Sequence, residues 1–135
     1  MWSQRAVVDY ALARRALLRS VSTGRSSRAE VCDANTYLRR AAHYHGEPTD
    51  IDCPICAHEQ LVHVTYTYGD CFRAGVNGRA RATRELAGLA HEYDEFHVYV
   101  VEVCQGCGWN HLVTSYVLGT GRVGAASRRA RSARR

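Results

Sequence analysis

The sequence predicts an α+β protein with an N-terminal helical region, a three-stranded antiparallel zinc ribbon with a helical insertion, and a disordered basic tail. Two Cys-x-x-Cys pairs, separated by 47 residues, predict the ribbon. Helix-type spacing before the first pair and β-prone segments beside both pairs predict the rest. We therefore expect a basic helical region at residues 1–46, the ribbon at 47–120 and the tail at 121–135.

Three helices are predicted before the first cysteine pair. Apolar residues recur at helical spacing between Gln4 and about Val21. Ser27 and Glu30 have the spacing of a capping box, which predicts a short second helix. Asn35 is a suitable N-cap for a third helix, which we expect to end before Gly46.

Three strands are predicted in the ribbon. Residues 59–69 alternate between two faces, as in a half-buried strand, and residues 96–103 and 110–118 are rich in β-branched and aromatic residues. Residues 83–93 place Leu86, Leu89, Ala90 and Tyr93 on one helical face and predict the insertion. A sheet this small has little core of its own, so we expect zinc binding to be coupled to its folding.

The two cysteine pairs predict one structural Zn²⁺ ion. Cys53 and Cys56 form the first pair, and Cys104 and Cys107 form the second. Each pair closes a tight turn, called a knuckle, and two knuckles can present four thiolates in a tetrahedron. Gly108 follows the second pair, where a left-handed conformation is often needed, whereas Ala57 stands at the equivalent place after the first.

Other interpretations of the cysteines are less consistent with the sequence. A redox pair belongs at the start of a helix in a βαβ unit, whereas both pairs here adjoin strand-like sequence. Structural disulfides need an oxidising compartment, and the N-terminus lacks the pattern of a secretory signal. Catalytic zinc needs an open coordination position, which four cysteines do not leave. Cys32 and Cys71 are predicted to be buried apolar residues and not ligands.

No motif predicts an enzyme. His91-Glu92 begins like a zinc-protease motif, but Glu95 stands where the second histidine belongs. The deaminase signature needs Pro-Cys-x-x-Cys after His-x-Glu, and the chain has neither. His58 and His111 adjoin the knuckles and are predicted to pack around the ligands, with cysteine replacement as the alternative. Trp109 is expected to pack over the metal site; the alternative is stacking on a base or partner.

Positive charge is concentrated at the two ends of the chain. Residues 1–45 carry a net charge of +5, residues 46–121 carry −6, and residues 122–135 carry +6. We therefore expect nucleic-acid contact through the basic ends and not through the ribbon's sheet. The tail candidates are Arg122, Arg128, Arg129, Arg131, Arg134 and Arg135. A soluble basic end without function is the alternative.

Several motifs together resemble one family. They are Ser27-x-x-Glu30-Val31-Cys32-Asp33-Ala34-Asn35-x-Tyr37-Leu38, Ala41-Ala42-x-x-His45-Gly46, both cysteine pairs, and Trp109-Asn110-His111. The combination is similar to a family of small actinobacterial proteins known as domain of unknown function 5318. The resemblance covers residues 4–120 and implies a cytoplasmic actinobacterial protein; the family offers no activity to carry over.

Two classes of function are compatible with the sequence. The first is a non-enzymatic, cytoplasmic accessory protein of transcription or translation, in which the ribbon binds RNA polymerase or the ribosome and the basic ends bind nucleic acid. The second is a zinc-ribbon adaptor that binds only protein, for instance in envelope or division control. Neither class requires a small-molecule substrate. No apolar run approaches the ~20 residues that cross a bilayer.

Overall fold

The computed structural model describes residues 3–73 and 77–121 and shows a six-stranded antiparallel sheet with four short helices. The strands are β1 (Arg5–Asp9), β2 (Glu47–Asp52), β3 (Gln60–Tyr68), β4 (Arg79–Arg81), β5 (Phe96–Val103) and β6 (Asn110–Leu118). The helices are α1 (Ala11–Ser22), α2 (Arg28–Val31), α3 (Thr36–His45) and α4 (Leu86–Glu92), and a 3₁₀ turn (Thr83–Glu85) precedes α4. The sheet order is β1-β6-β5-β3-β2, and β4 also pairs with β3.

The predicted fold class, a helical region followed by a three-stranded zinc ribbon, is wrong. The three predicted strands exist as β3, β5 and β6, but they form the centre of a larger sheet. Three further strands extend it, and the first of them comes from the N-terminal region. The predicted disordered tail lies outside the described residues.

The N-terminal strand β1 explains part of the error. It pairs with β6, with Val8 opposite Ser115, and α1 begins only at Ala11. The Asp9 side chain accepts a hydrogen bond of 2.8 Å from the Ala11 N–H, which satisfies one free donor at the start of the helix. The adjacent β-branched residues Val7 and Val8 suit an extended edge strand, although their spacing also continues the helical pattern of α1.

Two short strands occupy the other edge. β2 pairs with the first half of β3 and β4 with the second half, so they share one edge of β3. β2 reads Glu-Pro-Thr-Asp-Ile-Asp, without the apolar alternation that predicts a strand. Its Pro48 and acidic residues are typical of an exposed edge, where a missing N–H is tolerated.

The sheet has an apolar core on both faces. On one face, called face A, Val62, Val64 and Val103 pack against Ala42 of α3. On the opposite face, α4 covers a cluster comprising Phe72, Leu86, Ala90, Phe96, Val98, Tyr116 and Leu118. Residues of α1 pack at the cysteine end. The sheet therefore has a core away from the cysteines, contrary to the expectation from a small ribbon.

The predicted N-caps of α2 and α3 are confirmed, but the reciprocal capping-box bond from the Ser27 N–H to the Glu30 side chain is absent among the described residues. Ser27 Oγ accepts from the Glu30 N–H at 3.2 Å, and Asn35 Oδ1 accepts from the Leu38 N–H at 2.8 Å. The α3 helix ends at His45, and the Gly46 N–H donates to the Ala42 carbonyl. These caps fix the direction of α3 across face A.

Candidate metal centre

Strand pairing brings the two knuckles together. The first lies between β2 and β3 and the second between β5 and β6. Because β3 and β5 are neighbours, with Val62 opposite Val103, both turns lie at the same end of the sheet. The structure thus places the four predicted ligand residues in one cluster.

The four sulfur atoms have the spacing of a tetrahedral metal site. The Sγ atoms of Cys53, Cys56, Cys104 and Cys107 all lie within 4.8 Å of one another. Two of the separations, Cys53–Cys107 and Cys56–Cys104, are 3.7 Å. Sulfurs about 2.3 Å from a central Zn²⁺ would be about 3.8 Å apart in a regular tetrahedron. The donor set therefore fits one tetrahedral ion.

The two knuckles repeat the same backbone pattern. In the first, the Cys53 N–H donates to the Glu59 carbonyl and the Cys53 carbonyl accepts from the Ala57 N–H. In the second, the Cys104 carbonyl accepts from Gly108 at the same spacing, and the Cys104 N–H donates to the Trp109 carbonyl, one residue nearer in sequence. Ala57 has φ 57° and Gly108 has φ 91°. Both positions are left-handed, so Ala57 adopts a conformation that glycine takes more easily.

Backbone N–H groups point at the sulfurs. Those of Ile55, Cys107 and Trp109 donate to Cys53, Cys104 and Cys107 Sγ, each at 3.4 Å. Burial raises the pKa of Cys53 to about 12 and that of Cys107 to about 11. The His58 backbone N–H lowers the pKa of Cys56 to about 6. A bound cation favours the deprotonated form of all four thiols.

A fifth cysteine lies beside the cluster. Cys32, at the end of α2, is half-buried, and its Sγ is 3.4 Å from Cys107 Sγ. Sequence reasoning treated Cys32 as an isolated apolar residue and missed this contact. It is not one of the four residues whose sulfurs all lie within 4.8 Å of one another. Cys71 lies elsewhere, with its Sγ 3.3 Å from the Glu95 carbonyl oxygen, and burial raises its pKa.

The segment between α2 and α3 packs on the second knuckle. The Ala34 N–H donates to the Gly108 carbonyl at 3.0 Å, and Asn110 Nδ2 donates to Asp33 Oδ1 at 2.9 Å. With Cys32 against Cys107, three successive residues contact this turn or the first residue of β6. Two sequence motifs that carry the family resemblance thus meet in space.

Trp109 is fully buried beside the cysteines. Its Nε1–H donates to Glu102 Oε2 at 2.6 Å, and Arg14 Nε lies 2.9 Å from both oxygens of the same carboxylate. Its indole stacks on the ring of His111, with centroids 5.9 Å apart. Its burial excludes stacking on a base or partner in this conformation. His58 is exposed.

Charge is unevenly distributed among the described residues. Seven arginines between Arg5 and Arg40 are exposed, whereas Arg14 is paired with Glu102. Face A carries an open groove lined by four carboxylates and five tyrosines. The tail candidates Arg122, Arg128, Arg129, Arg131, Arg134 and Arg135 lie outside the described residues.

The chain belongs to a family of unknown function (DUF5318), whose profile matches residues 1–133. It is 54% identical over 115 residues to uncharacterized proteins of Mycobacterium bovis and of Mycobacterium tuberculosis strains CDC 1551 and H37Rv. Each alignment covers 85% of this chain and 83% of the relative. These matches confirm the resemblance. No solved structure matches the chain.

Within residues 3–73 and 77–121, every helix is too short or too polar to span a bilayer.

Proposed function

We propose that this protein is a non-enzymatic, zinc-stabilised accessory protein of the cytoplasmic transcription or translation machinery. One Zn²⁺ held by the four clustered cysteines stabilises one end of the sheet. The basic ends contact nucleic acid, and the sheet region contacts a protein complex such as RNA polymerase or the ribosome. The family comparison leaves this assignment open, so its support comes from the site and the charges.

The chemistry of the four cysteines supports a structural ion. Tetrahedral four-sulfur sites suit Zn²⁺ or iron, and zinc is the usual ion where two Cys-x-x-Cys knuckles meet. Cys53 and Cys104 are buried, and four thiolates fill a tetrahedral shell without leaving a position for substrate. The site therefore favours stabilisation over catalysis.

The observation that carries the nucleic-acid part of the proposal is the exposed N-terminal arginines. The arginines meant lie on or beside α1 and α2; they are Arg15, Arg19, Arg25 and Arg28. Among the described residues, none of the four forms an ion pair with a carboxylate. Unpaired arginines are available for phosphate, and each phosphate neutralised releases counterions. The tail adds six arginines without an acidic residue.

A second candidate is an adaptor that binds only protein. The groove on face A favours it, because exposed tyrosines with a carboxylate rim suit a basic protein segment better than a phosphate backbone. In this case the basic ends have no nucleic-acid partner.

Salt-dependent binding to duplex DNA and single-stranded RNA tests the proposal. The full-length chain is compared with Arg15→Gln/Arg19→Gln and with a variant in which the six tail arginines are Gln. Each lost phosphate contact should reduce the slope of log K against log salt by about 0.9 on DNA or about 0.7 on single strands. The tail variant should lose several units of slope if most of its arginines engage.

Arg73→Gln/Arg84→Gln is the matched control, since both arginines are exposed in the acidic middle of the chain. Its slope should remain unchanged. If the full-length chain binds neither nucleic acid between about 50 and 200 mM salt, the range in which such contacts normally weaken, the nucleic-acid part of the proposal fails and the adaptor function is favoured.

A further inference from the structure

Half of face A is open. Helix α3 covers Val62, Val64 and Val103, and the remainder of the face forms a groove of about 1410 Å³. Its floor is aromatic and comprises Tyr66, Tyr68, His97 and Tyr99. Tyr68 and Tyr99 meet edge to face at 5.6 Å, and Tyr68 remains 43% exposed. The groove thus offers ring faces and edges to a ligand.

The rim of the groove is acidic. Asp70, Glu92, Asp94 and Glu95 line it, and the described lining contains no arginine. Carboxylates beside tyrosine rings attract guanidinium groups, which pair with the former and stack on the latter. The same carboxylates repel phosphate, so a nucleic acid is a poor occupant.

The described chain ends at this rim. The Thr120 N–H donates to the Tyr93 carbonyl at 2.9 Å, and the Gly121 N–H donates to the Asp94 carbonyl at 3.0 Å. Gly119 has φ 127°, and a Cβ there would meet the Asp94 backbone. Residue 122 therefore follows directly from two successive residues, each of which is hydrogen-bonded to a groove residue.

We propose that the groove binds the arginine-rich segment 122–135 of its own chain. The segment carries six arginines and no acidic residue, opposite four carboxylates. Its 14 residues span up to about 46 Å when extended, enough to follow a groove that begins at its own attachment point. The attachment also gives the segment a high effective concentration at the groove, on the order of millimolar for a short flexible link.

A labelled peptide tests the proposal. Fluorescent peptide 122–135 is titrated into the full-length native chain and into a tail-neutral chain, in which the six tail arginines are Gln. The native chain should bind the peptide at least about tenfold more weakly, because its own segment occupies the groove. The ratio of the two peptide affinities should not depend on protein concentration, because the competing segment belongs to the same chain. The assay contains no nucleic acid, so its result is independent of the nucleic-acid proposal.

Charge-matched variants locate the site. In the tail-neutral chain, Asp70→Asn/Asp94→Asn should weaken peptide binding roughly three- to tenfold, the range expected for two exposed charge pairs. Asp50→Asn/Asp52→Asn removes the same charge from exposed positions of β2, outside the groove, and should leave binding unchanged. Near-ultraviolet circular dichroism checks that each variant is folded.

Three results would overturn the proposal. The first is failure of the peptide to bind the tail-neutral chain. The second is equal binding to native and tail-neutral chains, which would mean that the groove is open to another occupant. The third is a weakening of peptide binding in the native chain that increases with protein concentration. Such a result would assign the groove to the tail of a second copy.

Discussion

The indole N–H of Trp109 donates a 2.6 Å hydrogen bond to the buried carboxylate of Glu102. Arg14 contacts the same carboxylate from α1 at 2.9 Å. One buried acid, Glu102 of β5, thus connects Arg14 of α1 with Trp109, which lies two residues after the second knuckle. Because Trp109 also packs with Cys53 and Cys104, this connection joins the N-terminal helix to the metal end of the sheet.

Replacing Trp109 with Phe should destabilise the metal-loaded protein by about 1–3 kcal/mol, because Glu102 loses a donor in a buried position. Urea unfolding followed by far-ultraviolet circular dichroism measures the change. Tyr44→Phe is the control, since Tyr44 is 71% exposed and its hydroxyl should contribute less than about 0.5 kcal/mol. Equal stability of the two variants would contradict the proposed importance of the Trp109–Glu102 bond.

Arg14→Gln should also destabilise the protein, whereas Arg15→Gln should not. The two arginines are neighbours on α1, but Arg14 pairs with Glu102 and Arg15 is exposed. Removal of Arg14 leaves the Glu102 carboxylate without its cation, although the Glu102 side chain is only 5% exposed. We expect a loss of about 1–3 kcal/mol, below the value for a fully buried pair because the Arg14 side chain is 27% exposed. Similar unfolding midpoints for the two variants would refute the distinction.

The backbone geometry of the two knuckles predicts that exchanging alanine and glycine has opposite effects on stability at the two turns. Ala57→Gly should stabilise the protein by up to about 1 kcal/mol, because alanine is strained at φ 57°. Gly108→Ala should destabilise it by more than about 1 kcal/mol, since the position has φ 91° and a Cβ would meet the Cys32 carbonyl and Arg39. Thermal unfolding of both variants with metal bound measures the two signs. A stabilising Gly108→Ala would contradict the described geometry.

The sequence predicted the central strands and the cysteine cluster because both depend on local signals. The alternation in β3 and the β-branched runs in β5 and β6 have the period of a sheet, and Cys-x-x-Cys spacing describes its own turn. The caps at Ser27 and Asn35 were predictable for the same reason.

The edge strands could not be predicted because pairing with distant residues creates them. Val7 and Val8 fit a helical period, and only the exposed edge of β6 makes them extended. Strand β2, which contains Pro48, lacks apolar alternation, and its extended conformation depends on pairing with the first half of β3. The contact of Cys32 with Cys107 is likewise a long-range contact, for which the sequence carried no spacing signal.

Metal removal should affect the two ends of the sheet differently. Chelation removes the proposed link between the knuckles, so the Trp109 environment should loosen. The cluster around Phe96 and Leu86 contains no cysteine ligand, so its amides should keep much of their protection against hydrogen exchange. A Trp2→Phe background leaves Trp109 as the only tryptophan for fluorescence. Hydrogen exchange then compares amides near residue 98 with those near residue 109.

Two outcomes would contradict this expectation. Global unfolding on chelation would show that the distant core is too weak to stand alone. Unchanged Trp109 fluorescence after verified metal removal would show that packing, and not metal, holds this end of the sheet.

Metal content of the full-length protein and its Cys→Ser variants tests the central claim most directly. Elemental analysis and native mass spectrometry should find one Zn²⁺ per chain in the native protein and in Cys71→Ser and Cys32→Ser. Zinc should be lost from Cys53→Ser and Cys104→Ser, because each removes a buried member of the tetrahedral set. Full zinc occupancy in Cys104→Ser, or loss of zinc in Cys71→Ser or Cys32→Ser, would contradict the four-cysteine site.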